Sequence, residues 1–423
     1  MYKKVVLKNG LKVIVAEMNH MESVSIGVWI GVGGRYESKK YSGMSHLAEH
    51  MLFKGTHART ASMLKEAIEG IGGSFNGFTS EEVTCYLVKL PSVYMELGLD
   101  ILSDMVLNPQ LDAAELEKEK YVICEEIKMY MDLPAQHVLE VLAENMWPNH
   151  ALGRPIAGSI ETVKSFRRED VKSFLESFYQ PSNMTVVVAG KIKNRNEAFN
   201  SAKKMFAVPA RGRRFLDESA RVTHKGVGTK IFYKDTKQTH IALGFHSLPR
   251  DHKLKYALGL LNIILGGNMS SRLFERLREK KALCYDISSS VKKYKDAGAF
   301  VVHAGVDNSK LIEATGEIVH ELRDIKRNFV SKDELYRAKE YCRGQLLLAL
   351  EDTGTRMLWL GEKILQRGKA PSVKEIFMGI DKVSIEDIRG TAKLIFNKRN
   401  LNFATIGPAK KTIKKKLKGV LTI

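Results

Sequence analysis

Cysteine is scarce in this chain of 423 residues. The four present, Cys85, Cys124, Cys284 and Cys342, form no C-x-x-C pair, and none lies near another in sequence. That argues against a disulfide framework or a thiolate metal site and points to reduced thiols in a cytosol-like compartment. No apolar run approaches the ~18 residues that a membrane helix needs. Neither a secretory leader nor an Arg- and Ser-rich import leader is visible. The opening stretch, MYKKVVLKNGLKVIVAE, reads instead as two alternating strands about Asn9-Gly10, a hairpin signal. Phosphate-cradling loops are also missing, since GVGGRYE and LGGN complete no nucleotide-binding pattern.

Positive charge, by contrast, is in excess: 67 Lys and Arg against 48 Asp and Glu leave a formal +19. Such a balance invites a nucleic-acid or anionic-membrane reading. The lysines are scattered along solvated helices, however, and the densest cluster, AKKTIKKKLKG at 409–419, reads as a solvated tail. With no zinc knuckle or RNA-platform aromatic motif, neither a nucleic acid nor a membrane is the expected partner. A hydrophobic content of 44% with 27% charged residues is ordinary for a globular protein of two or three domains.

The chain repeats itself. EDVKSFLESFYQPSNMTVVVAG (169–190) resembles EDIRGTAKLIFNKRNLNFATIG (386–407), so that Glu386 lies 217 residues after Glu169, Asn400 after Asn183 and Gly407 after Gly190. The same offset carries VSIGVW (24–29) onto IALGFH (241–246), Gly27 onto Gly244. One offset holding at both ends of a half indicates two copies of one domain. The expected division is 1–210, a polar, basic linker at 211–228, and 229–423. Strands are expected at KVVLK, KVIVAE, VSIGVWI, VTCYLVKL and MTVVVAG, and helices over 60–70, 92–106, 112–132, 135–146 and 168–178. Strands grouped around a helical middle predict an α+β fold, each domain a mainly antiparallel sheet with helices on one face.

Within SGMSHLAEHMLFKGT (42–56), His46, Glu49 and His50 occupy positions i, i+3 and i+4 and so share one helix face. The remaining positions, Met44, Leu47, Ala48, Met51 and Leu52, are apolar, which predicts a buried helix whose three polar groups need a partner. Two imidazoles one turn apart can bind one zinc ion, and a carboxylate between them can accept a proton from water at the metal; this is the zincin helix in inverted order. A bare five-residue motif can equally be three polar side chains meeting solvent, so a third ligand decides. The segment 112–132, DAAELEKEKYVICEEIKMYMD, reads as one helix with Asp112 and Glu115 pairing at its start. Its apolar stripe runs Leu116, Ile123, Ile127, Tyr130, and Glu119 and Glu126, two turns apart, fall along it. Carboxylates on a buried stripe are the exception that needs explaining.

HLAEHMLFKGT, followed 76 residues after His50 by Glu126 in EKYVICEEI, resembles the pitrilysin, insulin-degrading enzyme and mitochondrial processing peptidase family over essentially the whole chain. The likeness is greatest to its short bacterial, processing-peptidase-like members. The resemblance implies that His46, His50 and Glu126 hold one zinc ion per chain, that Glu49 is the general base and that Glu119 supports the site. Glu125 competes for the ligand role on spacing alone; Glu126 is preferred because it shares a face with Glu119 and matches the family spacing. The resemblance also places substrate against the strand in GGSFNGFTSEEVTCYLVKL (72–90), near Asn76 and Phe78, with Gly77 standing where alanine is usual. An edge strand can bind an extended peptide through its main chain. In GGNMSSRLFERLREKKALCYDISSS (266–290), Arg278 and Tyr285 match the family's Arg/Tyr pair, suited to donating to a developing oxyanion; there Ala282 replaces the usual glycine. The offset maps His46, Glu49 and His50 onto Ile263, Gly266 and Gly267, so the second copy has lost the ligands. The expectation is a cytoplasmic zinc metalloendopeptidase acting on peptides or unfolded polypeptide in an enclosed chamber, as a homodimer or with a related subunit. The alternative is a non-catalytic subunit of a heterodimeric processing peptidase.

Overall fold

The computed structural model describes residues 2–209, 219–220, 228–409 and 411–423. The expected linker, 211–228, falls almost wholly outside them. Two compact units emerge, each built on one sheet.

In the first unit, β1 (Lys3–Val6), β2 (Lys12–Glu17), β3 (Ser23–Ile30), β4 (Ser74–Thr79), β5 (Thr84–Pro91) and β6 (Met184–Gly190) lie in the order β1-β2-β6-β3-β5-β4. Neighbours are antiparallel except β2 and β6. The β1–β2 turn forms at Gly10, whose φ of 87° is in the left-handed region that glycine adopts without strain. In the second unit, β7 (Gly228–Tyr233), β8 (Gln238–Ser247), β9 (Cys284–Lys293), β10 (Gly298–Asp307) and β11 (Leu401–Gly407) take the order β7-β11-β8-β10-β9, with β7 and β11 parallel. Matching β2, β6, β3, β5, β4 to these five gives one topology twice, and the 217-residue offset carries β6 onto β11 residue for residue.

Helices follow the apolar periodicity: α1 (Met44–Leu52), α2 (Ala61–Glu69), α3 (Met95–Leu107), α4 (Ala113–Asp132) and α5 (Pro134–Met146). Strand alternation sorts the core. Val24, Ile26, Val28 and Ile30 of β3 pack with Leu47, Met51, Leu99 and Leu102 of α1 and α3, so one sheet face carries the main helical layer.

The other face carries one more helix, supplied by the opposite sequence half. Unit 1 takes in Leu346–Ser372, and the helix Thr353–Arg367 lays Met357, Leu360 and Ile364 over Ile14, Trp29 and Val187. Unit 2 takes in Lys128–Arg154, and α5 lays Val138, Leu142 and Met146 over Ala242, Ala404 and Ile406. Each such fully buried side chain contributes about 1.5–3 kcal/mol. The repeat-paired glycines explain themselves here. A Cβ on Gly27 would lie 2.2 Å from Met357 Sδ, and one on Gly244 would lie 2.6 Å from Met146 Sδ. The missing side chains let each exchanged helix sit close to its sheet.

Candidate metal centre

The polar helix is anchored at its first turn. Gly43 precedes α1 with φ 96°, and a Cβ there would meet Ala157 O at 2.6 Å. The buried Glu37 carboxylate accepts from the backbone N–H of Gly43 at 2.8 Å and of Ser45 at 2.7 Å, satisfying two N-terminal amides and complementing the helix dipole. Met44, Leu47, Ala48, Met51 and Leu52 are buried as expected. His46 and His50 then stand one turn apart, ring centres 4.6 Å from each other.

The second contributor, α4, starts where Asp112 Oδ1 accepts from the amides of Ala114 and Glu115. The Glu115 side chain does not complete that cap; it pairs with Lys118 instead. Leu116, Ile123 and Cys124 bury one face of α4, and Glu119 lies on that face, 4% exposed. Glu126, two turns on, reaches the histidines: its Oε2 is 3.8 Å from both His46 Nε2 and His50 Nε2. Among the described residues, His46, His50 and Glu126 form the one group of three whose ligand atoms all lie within 4.8 Å of one another. Glu125 is exposed and outside it.

These distances are informative. At 3.8 Å the atoms are too far apart to share a proton. Nitrogen and oxygen ligands about 2.0–2.2 Å from a tetrahedral zinc ion stand roughly 3.4 Å apart. The three donors therefore surround a point rather than satisfy each other, and the set fits zinc.

The protonation pattern agrees. Burial, with His50 nearby, pushes His46 down to about 4, so its imidazole is neutral at pH 7. Its Nδ1 is buried without a hydrogen-bond partner among the described residues. His50 Nδ1 lies 2.9 Å from Glu119 Oε2, and Lys54 Nζ lies 2.6 Å from Glu119 Oε1. Burial opposes charge on Glu119, but the bonds from His50 and Lys54 outweigh it and hold its pKa below the usual value. A charged carboxylate only accepts, so His50 carries its proton on Nδ1 and turns the Nε2 lone pair toward Glu126.

Glu49, on the same helix, accepts a 2.5 Å hydrogen bond from Thr79 Oγ1. Burial raises its pKa, against the Thr79 bond and His50, which lower it. The apolar wall nearby is Phe53, whose ring packs 4.8 Å from Phe75 and 6.0 Å from Tyr86. Tyr86 and Tyr179 share a buried 2.8 Å hydroxyl bond, and burial keeps both protonated.

The remaining expected residues are placed less directly. β4 is an edge strand and pairs with β5. Its alternation turns Phe75, Gly77 and Thr79 toward α1. Asn76 and Phe78 face the other way: Phe78 packs edge-on against Trp29 at 5.6 Å, and Asn76 Oδ1 accepts from the Gly77 amide. Their side chains therefore point away from α1 and do not join the histidine cluster. Gly77 acts by admitting close packing: a Cβ there would lie 3.0 Å from the Phe53 ring and 3.3 Å from Glu49 Cγ. In the second unit, the Arg278 guanidinium lies 4.6 Å from the Phe274 ring centre and 4.9 Å from that of Tyr285, which is 76% exposed. Between them Ala282 has φ 46°, the left-handed conformation that glycine would hold without strain.

Sequence reasoning missed Glu37, Lys54 and Thr79. Lys54 had a readable signal, four residues after His50. Thr79 had one only once the parity of β4 was known.

The description "Insulinase (Peptidase family M16)" matches residues 12–160, and "Peptidase M16 inactive domain" matches 165–342. The chain belongs to peptidase family M16. It is 36% identical to a Bacillus subtilis protein named as an uncharacterized zinc protease, over 97% of this chain and 99% of that one. It is 33% identical to a Mycobacterium leprae protein of the same description, over 97% and 93%. The solved structure of a protease from Helicobacter pylori superposes with a TM-score of 0.90 at 23% identity, covering 96% of this chain and 99% of that one. Among the described residues the second copy of the M16 fold holds no such cluster. The offset of 217 drifts to 214 by β5 and β10, where Leu87 pairs with Gly27 and Val301 with Gly244, so it does not fix the counterparts of the α1 residues; the second copy's helix, Lys255–Gly266, carries no histidine or carboxylate.

Proposed function

We propose that this M16 protein is a zinc metallopeptidase that hydrolyses peptide bonds in peptides or unfolded polypeptide segments within an enclosed chamber. The observation that carries this reading is the convergence of His46, His50 and Glu126 within 4.8 Å, with Glu49 on the same helix. The relatives named as zinc proteases support it.

His46, His50 and Glu126 hold the metal. Zinc, when bound, supplies a Lewis acid and makes water nucleophilic at neutral pH. Glu119 and Lys54 orient His50. Glu49, its pKa raised by burial, takes the proton from the attacking water and returns it to the leaving amine. The open edge of β4 receives the substrate main chain, which tolerates many sequences. Arg278, prearranged on Phe274 and Tyr285, donates with the Tyr285 hydroxyl to the oxyanion. The chamber is closed by pairing with a second copy or a related chain, and the compartment is cytoplasmic. Among the described residues no helix is long and apolar enough to cross a membrane.

Zinc stoichiometry measured alongside hydrolysis of internally quenched peptides, with and without chelator, tests the reading. One zinc per chain, chelator-sensitive turnover, and loss of zinc in His50→Ala are expected. A metal-free, inert protein would favour the non-catalytic subunit instead.

A further inference from the structure

We infer that Thr79 is a positioning residue, tethering one oxygen of Glu49 from the edge strand so that the other faces the reacting water. The inference rests on the reading of Glu49 as general base.

The geometry is specific. Thr79 closes β4, pairing with Thr84 of β5, and β4 packs on α1. Its hydroxyl has one hydrogen and two acceptors within reach, Glu49 Oε2 at 2.5 Å and the Ser45 carbonyl at 3.5 Å. The short contact takes the hydrogen, and the long one is marginal. Glu49 Oε1 engages no protein group among the described residues. A carboxylate with one oxygen tied and one open is aimed; untied, its terminal torsion is broad. Gly77 makes the tether possible, since its missing side chain lets β4 press against Phe53 and Glu49. The strand whose open edge receives substrate is therefore also the strand that aims the base.

Thr79→Val keeps the shape and β-branching and removes only the hydroxyl. Against an internally quenched peptide, Thr79→Val should lower kcat about 10–100-fold, leave KM and zinc content within about two-fold, and be rescued by Thr79→Ser. Crystals of the zinc-free proteins should show one Glu49 rotamer in wild type and more than one in Thr79→Val. Wild-type kcat in Thr79→Val, loss of its zinc, or failure of Thr79→Ser to rescue would overturn the inference. Glu49→Gln runs alongside as the control. Wild type without chelator-sensitive cleavage sinks the peptidase reading, and the rotamer comparison then decides the tether alone: a single unchanged Glu49 rotamer in Thr79→Val refutes it.

Discussion

Where the first copy of the M16 fold carries Glu49 and His50 on α1, the second copy has no such residues there. Its equivalent helix, Lys255–Gly266, is mostly aliphatic and carries no histidine or carboxylate. A Cβ on Gly266, at the end of that helix, would lie 2.6 Å from the Ser289 amide of β9, so the second copy packs helix directly on strand there. The first copy instead gathers three candidate ligand atoms and a carboxylate beside its helix. The same topology thus yields a site or a packed core according to a few side chains, and the core is the ordinary outcome. Buried polar groups persist in the first copy because Glu119, Lys54 and Thr79 give them partners.

The comparison can be broken most sharply at Glu49. Glu49→Gln should retain zinc and lose about 10²–10⁴-fold in peptide hydrolysis; wild-type turnover would remove Glu49 from the chemistry.

A smaller effect belongs to His46, which has no histidine counterpart in the second copy's helix. Folded His46 titrates at about 4 against 6.5 for the ordinary group. Between those values the unfolded chain binds the extra proton. The stabilisation is therefore complete above pH 6.5 and is lost as pH falls through about 4, amounting to ~3 kcal/mol. Denaturant midpoints of zinc-free protein at pH 7 and pH 4 should differ accordingly, and His46→Ile should narrow the gap. An unchanged gap would show that His46 is not its source.

Placing a carboxylate on the second copy's helix should not create a site. Gly266→Glu should gain no metal and cost about 1–3 kcal/mol by overpacking β9. Zinc bound at the second copy in that variant would mean that more than shape separates the two.

The smallest effect lies at Ala282. Glycine there should raise stability by about 0.5–1 kcal/mol, read as a higher Tm, by relieving the left-handed backbone. A lower Tm would show that the alanine side chain contributes packing that outweighs its strain.

Much of this was legible because the signals are local. The i, i+3, i+4 spacing put His46, Glu49 and His50 on one face, and the two-turn spacing put Glu119 and Glu126 on one stripe. The resemblance implied different roles for them, and the distances give them different contacts, 2.9 Å from Glu119 to His50 Nδ1 against 3.8 Å from Glu126 to both Nε2 atoms. Asn76 and Phe78 show the limit. Strand alternation said that they share a face, but not which face meets α1, because β4 is exposed enough on both sides to carry no strong polarity signal.

The amino-acid sequence by itself determined the duplication, the helix and strand positions and the identity of the ligand types, since these rest on periodicity and residue chemistry along a continuous chain. Tertiary structure alone decided that the halves trade covering helices and that Thr79 reaches Glu49. Both are contacts between segments distant along the chain, made where apolar faces need burial and polar groups need partners, and no local pattern names the partner.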